Sequence, residues 1–162
     1  MSKLLLSIAV MTISLRSAQA QERDPDGSER NLRAYIELIR SDVKTEKVAI
    51  ITQVMDLDEA DAAKFWPIYH EYDAELTKLG DQKLALVKDY IDHYEALTDP
   101  KAHTIAFAVF DMEGKRTELK KKYYTKFEHA LSARTAARFF QIENQIQMLM
   151  DLQLAAALPV MK

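Results

Sequence analysis

The chain has 162 residues, 48% of them hydrophobic, enough for one domain with its own core. Its formal net charge is −3, with 29% charged residues of mixed sign, so it lacks the basic excess of a nucleic-acid binder. It contains no cysteine, which excludes disulfides, thiolate metal sites, covalent haem attachment and a lipid anchor on cysteine.

Residues 1–20 read as a secretory signal. Lys3 supplies the positive start, Leu4 to Leu15 is mostly apolar, and Ala18-Gln19-Ala20 is an A-x-A cleavage site before Gln21. The apolar run is short for a membrane span, which needs about 20 residues. Cleavage removes Lys3 and Arg16 and takes the formal charge from −3 to −5. The expected location is therefore periplasmic or secreted, with no stable membrane insertion afterwards. Residues 21–30, with Asp24-Pro25-Asp26-Gly27-Ser28, form a spacer. A single helical domain is expected over 31–158, with a tail at 159–162.

With three glycines and four prolines, turn signals are sparse and long helices are favoured. From Asn31 to Met55 the apolar residues keep helical spacing, among them Leu32, Tyr35, Ile36, Ile39, Val43, Ile51 and Met55. Ser41-Asp42 is a point for a bend or a break. A second helix is predicted from Asp58 to about Leu97, along a stripe through Phe65, Tyr69, Tyr72, Leu76, Leu79, Leu86 and Tyr90, with Pro67 kinking it. Thr98-Asp99-Pro100 restarts the chain, with Asp99 as cap and Pro100 in the first helical position. The third helix is predicted to run to about Ala130 with Ile105, Val109, Phe110, Met112, Leu119, Tyr123 and Phe127 on one face. The fourth starts at Ser132, carries Ala136, Phe139, Phe140, Ile146, Leu149, Met150 and Leu154, and closes at Leu158-Pro159. Short connections imply antiparallel neighbours. The expected fold is all-α: an elongated antiparallel four-helix arrangement with a long central helical hairpin. Its second and third helices span about 45–60 Å at 1.5 Å per residue. So thin a hairpin leaves apolar flanks that a homodimer would cover.

One pattern occurs twice, 74 residues apart. The first copy runs from Leu57-Asp58-Glu59-Ala60-Asp61 through Ala62-Ala63-Lys64-Phe65-Trp66 to Ile68. The second runs from Leu131-Ser132-Ala133-Arg134-Thr135 through Ala136-Ala137-Arg138-Phe139-Phe140 to Ile142. Each has a leucine staple, a cap (Asp58 or Ser132), a small or acidic residue three positions on (Asp61 or Thr135), an Ala-Ala pair for close approach, a cation and two aromatics. Every position has a capping or packing role, so the motif itself is a helix-start device. Two such starts side by side define a scaffold rather than a catalytic site.

Paired Leu-Thr-x-x-Gln motifs at two helix starts, behind a signal sequence in a small helical chain, mark the Spy/CpxP-like proteins of the bacterial periplasm. The layout of residues 45–155 resembles that family. Leu57 and Leu131 keep the leucine, and Asp58 and Ser132 keep a capping residue, while Asp61 and Thr135 stand where the family has glutamine. The resemblance implies a helical cradle, usually dimeric, that binds unfolded or misfolded client proteins without ATP. Some relatives instead sense metals or restrain a sensor kinase.

Elsewhere the residues offer weaker leads. If the central turn lies near Thr98-Asp99, facing residue numbers on the two long helices sum to about 197. Asp81 then meets Arg116, and Lys83 meets Glu113, in a polar layer beside Gly80 and Gly114. Arg116, Lys120, Tyr123 and Tyr124 lie in a basic stretch with Lys115, Lys121, Lys122 and Lys126. Such runs are usually solvated surface, but cations beside tyrosines also suit unfolded client segments, and these four are the candidate client-binding residues. His70, His93, His103 and His129 form no Glu-x-x-His or His-Glu-x-x-His motif, so no metal or other cofactor is expected. No nucleophile elbow, phosphate loop or nucleotide fingerprint is present, and no enzyme is expected. The nearly uncharged stretch Leu152 to Met161 reads as a helix end packed on the first helix, or as a docking edge. The expectation is a non-enzymatic envelope protein that binds unfolded proteins. A metal or stress sensor restraining a membrane partner, and a structural envelope component, are the alternatives.

Overall fold

A computed structural model describes residues 46–161, and the expected signal, its cleavage point, the spacer, the helical pattern before residue 46 and the bend at Ser41-Asp42 lie outside them. The described part of α1 covers 46–55. It is followed by α2 (Glu59–His93), a 3-10 turn (Tyr94–Ala96), α3 (Asp99–Ala130) and α4 (Ala133–Ala157). The described residues contain no strand, and the all-α architecture with a long central hairpin stands.

Both copies of the repeated motif cap a helix in the same way. The Asp58 carboxylate accepts from the Asp61 amide at 2.8 Å, and the Ser132 hydroxyl accepts from the Thr135 amide at 3.1 Å. Ser132 and Thr135 also share a 2.8 Å hydroxyl contact, which ties the fourth position into the cap. Both caps are extended, as an N-cap must be to turn its side chain onto the free amides. Leu57 and Leu131 pack against the core as staples. The two starts then meet: the Phe65 and Phe139 rings, equivalent in the two copies, lie edge to face at 5.3 Å. The second copy's cation has a further use. Arg138 donates to the carbonyls of Val54 and Met55, closing the C-terminal end of α1. Asp56 completes that turn in the left-handed region (φ 45°), which aspartate tolerates better than most side chains.

The start of α3 corrects the expected cap by one residue. Thr98 occupies the cap position without a side-chain hydrogen bond, and Asp99 is the first helical residue. The proline ring of Pro100 fits in the first turn because the amides there have no intrahelical partner anyway. The hairpin register agrees with expectation: Lys122 meets Glu75 at 2.7 Å and Lys126 meets Glu71 at 2.6 Å, each pair summing to 197. At mid-hairpin the expected pairs are replaced. Arg116 and Lys83 both bind Asp151 of α4, because that carboxylate reaches in from a third helix between them.

The core is aromatic. Phe65, Tyr69, Tyr72, Tyr123, Phe127 and Phe139 are all almost wholly buried, and their rings form a chain of edge-on and tilted contacts around Phe139. Such pairs add about 0.5–1.5 kcal/mol each beyond the area they bury. Ile51 and Met55 of α1 close the cluster on one side. Phe110 departs from its expected place on the buried face of α3. It is 61% exposed, because the buried row runs through Ile105, Leu119, Tyr123 and Phe127 and leaves Phe110 turned away.

Replacing either cap should lower stability by about 1 kcal/mol, and the double variant Asp58→Ala/Ser132→Ala by about the sum, since each hydroxyl or carboxylate serves its own helix. Urea denaturation measures this; a double variant no weaker than either single one contradicts independent capping.

Candidate functional site

Two features stand out once the helices are placed: a buried charge cluster at one level of the bundle, and an apolar cleft beyond it. The cluster is made by α1, α2 and α4. Lys47 donates to Glu143 Oε1 at 3.0 Å and to Asp73 at 3.4 Å, and the Tyr72 hydroxyl donates to the same Glu143 oxygen at 3.2 Å. Glu143 is fully buried and Lys47 nearly so. Glu143 shares the inner face of α4 with Phe139 and Ile146 through steps of four and three, so its burial follows from its position rather than its chemistry. Its second oxygen, Oε2, has no hydrogen-bond partner among the described residues. Burial, with the negative charge of Glu143 and the hydrogen bond to it, pushes the Tyr72 hydroxyl far above the ordinary tyrosine range. Tyr69 is raised for the same first reason, with Asp73 and Glu143 adding to it. A group so enclosed has no route to a substrate, so the cluster fixes which faces of α1 and α4 meet.

The cleft opens where the aromatic core ends. Leu76, Leu79, Gly80, Leu86, Val87 and Tyr90 of α2 form one wall; Ile105, Val109 and Met112 of α3, Gln147 and Leu154 of α4 and Leu158 just after it form the others. It encloses about 390 Å³, within the range of small-molecule sites. The charged residues of its lining are Glu113 and the group in which Lys83 and Arg116 (2.9 Å) grip Asp151. Burial acts to raise the Asp151 carboxyl, but the Lys83 hydrogen bond and the two cations outweigh it and hold the group below its ordinary range. At the far end the Tyr90 hydroxyl donates to the Pro159 carbonyl at 2.7 Å, pinning the tail that follows α4.

The residues expected to bind clients do not share one exposed face. Arg116 stands in the cleft wall on Asp151, and Lys120 donates to Asn144 at 2.6 Å. Burial and the neighbouring Arg116 charge lower the Lys120 pKa. Tyr123 is buried in the core with its hydroxyl on Glu75 at 2.8 Å, and Tyr124 packs half-buried beside Phe140. Helical phase explains the separation: residues 116, 120 and 123 step along the inner edge of α3 toward α4 and the core.

Solvent instead meets Phe107 and Phe110 of α3 and Met148, Leu149 and Leu152 of α4, each more than half exposed. The Arg116–Asp151 and Lys120–Asn144 contacts set α3 beside α4, with Leu152 level with the turn of α3 that follows Phe110. The signal for this exposure was the spacing of Phe107 and Phe110, which falls off the Ile105 row. Among the described residues, no group of three or more His, Cys, Asp or Glu side chains is gathered to hold a metal ion. Among the described residues, His93 meets one carboxylate, Asp89, which it shares with Lys101. No helix among the described residues is long and apolar enough to cross a membrane. The chain matches no protein-family model, no curated protein and no solved structure.

Two measurements follow. Lys47→Met leaves Glu143 buried without its cation and should cost about 3–5 kcal/mol, whereas Lys47→Met/Glu143→Leu should recover much of that loss. Chemical denaturation decides it; a double variant as weak as the single one would remove the charge pairing as the cause. The pH dependence has two limbs. Hydrogen bonds from Lys122 and then Tyr123 lower the Glu75 pKa, and Asp151 is lowered as above, so their contribution is present above the ordinary values of 4.5 and 3.8 and is lost as pH falls through the depressed folded values. Burial, then the Glu75 hydrogen bond, pushes Tyr123 up to about 12, so its contribution is full below the ordinary 10.0 and is lost as pH rises toward 12. Thermal midpoints should fall at both ends; Tyr123→Phe should flatten the alkaline limb and, by removing one of the two hydrogen bonds that lower Glu75, weaken the acid limb in part.

Proposed function

We propose that this is an exported, non-enzymatic protein that holds unfolded proteins without a nucleotide, in a periplasmic or secreted location. The observation that carries the reading is the exposure of Phe107 and Phe110 on α3 and of Met148 and Leu152 on the adjacent α4. Large apolar side chains at solvent mark an interaction surface, and methionine adapts to segments of varied shape. Exposed charges of both signs also lie on α3, at Glu113, Lys115, Glu118 and Lys121, and suit weak and reversible contact with many sequences. The secretory pattern at residues 1–20 and the resemblance of the paired helix starts to Spy/CpxP-like proteins point the same way. The mechanism is capture of apolar client segments on these side chains of α3 and α4, slowing their association with one another. Homodimerisation through the same side chains would compete with this capture.

Protein beginning at Gln21 should suppress light scattering by a reduced, unfolded model client at near-stoichiometric ratios. The triple variant Phe107→Ser/Phe110→Ser/Leu152→Ser should keep its helicity and lose most of the suppression. No suppression by the unaltered protein rejects the reading; full suppression by the variant moves the capture surface elsewhere.

A further inference from the structure

We propose that the apolar cleft binds a single-chain fatty carboxylate, its head on Lys83 and Arg116 and its tail running toward the hairpin turn. The lining divides in a way that suits such a ligand. Its charged residues stand together partway along, at Lys83 of α2, Glu113 and Arg116 of α3 and Asp151 of α4. From there toward the hairpin turn the walls are apolar on three sides. Leu86 and Val87 belong to α2, Ile105 and Val109 to α3, and Leu154 to α4, with Leu158 just after it. This apolar part ends where the Tyr90 hydroxyl donates to the Pro159 carbonyl at 2.7 Å.

The head level carries more cations than carboxylates to pair them. Lys83 and Arg116 share Asp151, each on a different oxygen. That contact takes one N–H of each, and an arginine presents a fork of parallel N–H groups that fits a second carboxylate. Glu113, the other carboxylate of the lining, is exposed and makes no ion pair with either cation among the described residues. Lys120 lies one turn further along α3 and donates to Asn144. Burial, and then the Arg116 charge, lower its pKa, although Glu143 and Asp151 act in the opposite sense. An added anion at this level offsets that surplus of positive charge. The Lys83 and Arg116 side chains are only 31% and 22% exposed, so water screens their attraction for it incompletely.

Size agrees with one chain of medium length. Lys83 to Tyr90 on α2 covers about 10 Å, and Ile105 to Arg116 on α3 about 16 Å, at 1.5 Å per residue. The 390 Å³ of the cleft is near the lower end of ligand pockets, room for one tail rather than two. Phe107, Phe110 and Leu152 do not line it, so its occupancy is independent of client capture.

Isothermal titration calorimetry of the protein with decanoate should show one saturable site per chain. Octanoate, with two methylenes fewer to bury, should bind on the order of tenfold more weakly. Decanol has the same chain without the charge and should bind at least about fivefold more weakly than decanoate. Arg116→Gln should weaken decanoate and leave decanol unchanged. Val109→Trp fills the tail region and should abolish binding of both; Leu86→Phe replaces it if circular dichroism shows lost helicity. Phe107→Ser/Phe110→Ser/Leu152→Ser should bind decanoate as before, which separates this site from client capture. No saturable site, equal affinity for decanol and decanoate, or binding that survives a filled tail region would each overturn the proposal.

Discussion

Phe65 and Phe139 stand at the same position in two sequence copies and touch edge to face at the centre of the core. That contact requires α2 and α4 to begin at one end of the bundle, at one level, with the same face inward. Everything else in the packing is built outward from it. Phe127 of the intervening α3 lies against both rings, at 5.0 and 4.7 Å, so the antiparallel helix is drawn between the two parallel ones. The capping bonds of Asp58 and Ser132 matter because they fix where each helix starts, and hence where each ring falls. A slip of one residue would rotate a phenylalanine by about 100° away from its partner.

A core of rings is strongly cohesive but tolerant of sliding, since apolar contact has little direction. The polar contacts supply direction. Glu143, fully buried, accepts from both Lys47 and Tyr72, so α1 and α2 must approach α4 at one height and one angle. The long hairpin is held in register farther out by Lys122–Glu75 and Lys126–Glu71, and Lys101–Asp89 sits near its turn. The exposed pairs contribute little to stability one by one. Lys47–Glu143 differs because losing one partner leaves a charge with no water to solvate it.

The packing changes along the length of the molecule. At the aromatic end three helices and α1 enclose a solid core. Beyond Glu143 the same helices part around the apolar cleft, and their outer faces carry Phe107, Phe110 and Leu152 into solvent. Under the proposed client-binding reading, the division would let apolar surface be exposed without loss of the fold. The solid end keeps the helices aligned, while the outer faces leave large apolar side chains at solvent.

Residue order alone determined a good deal. Helical spacing, two capped starts and the 197 register of the hairpin are local or nearly local properties, set by side-chain period and by the geometry of a helix end. Phe65, Tyr69, Tyr72, Tyr123, Phe127 and Phe139 were legible as apolar positions for the same reason. What only the tertiary structure decided was which of several available partners each charge takes. Arg116 and Lys83 turn to Asp151 on a distant helix, and Lys47 finds Glu143 at a separation of 96 residues. Likewise Tyr123 is buried and Phe110 exposed, although both are aromatic residues on α3. Spacing gives a helix its stripe, but the angle at which neighbouring helices close on that stripe is a property of all of them together, and it settles which edge residues go inside.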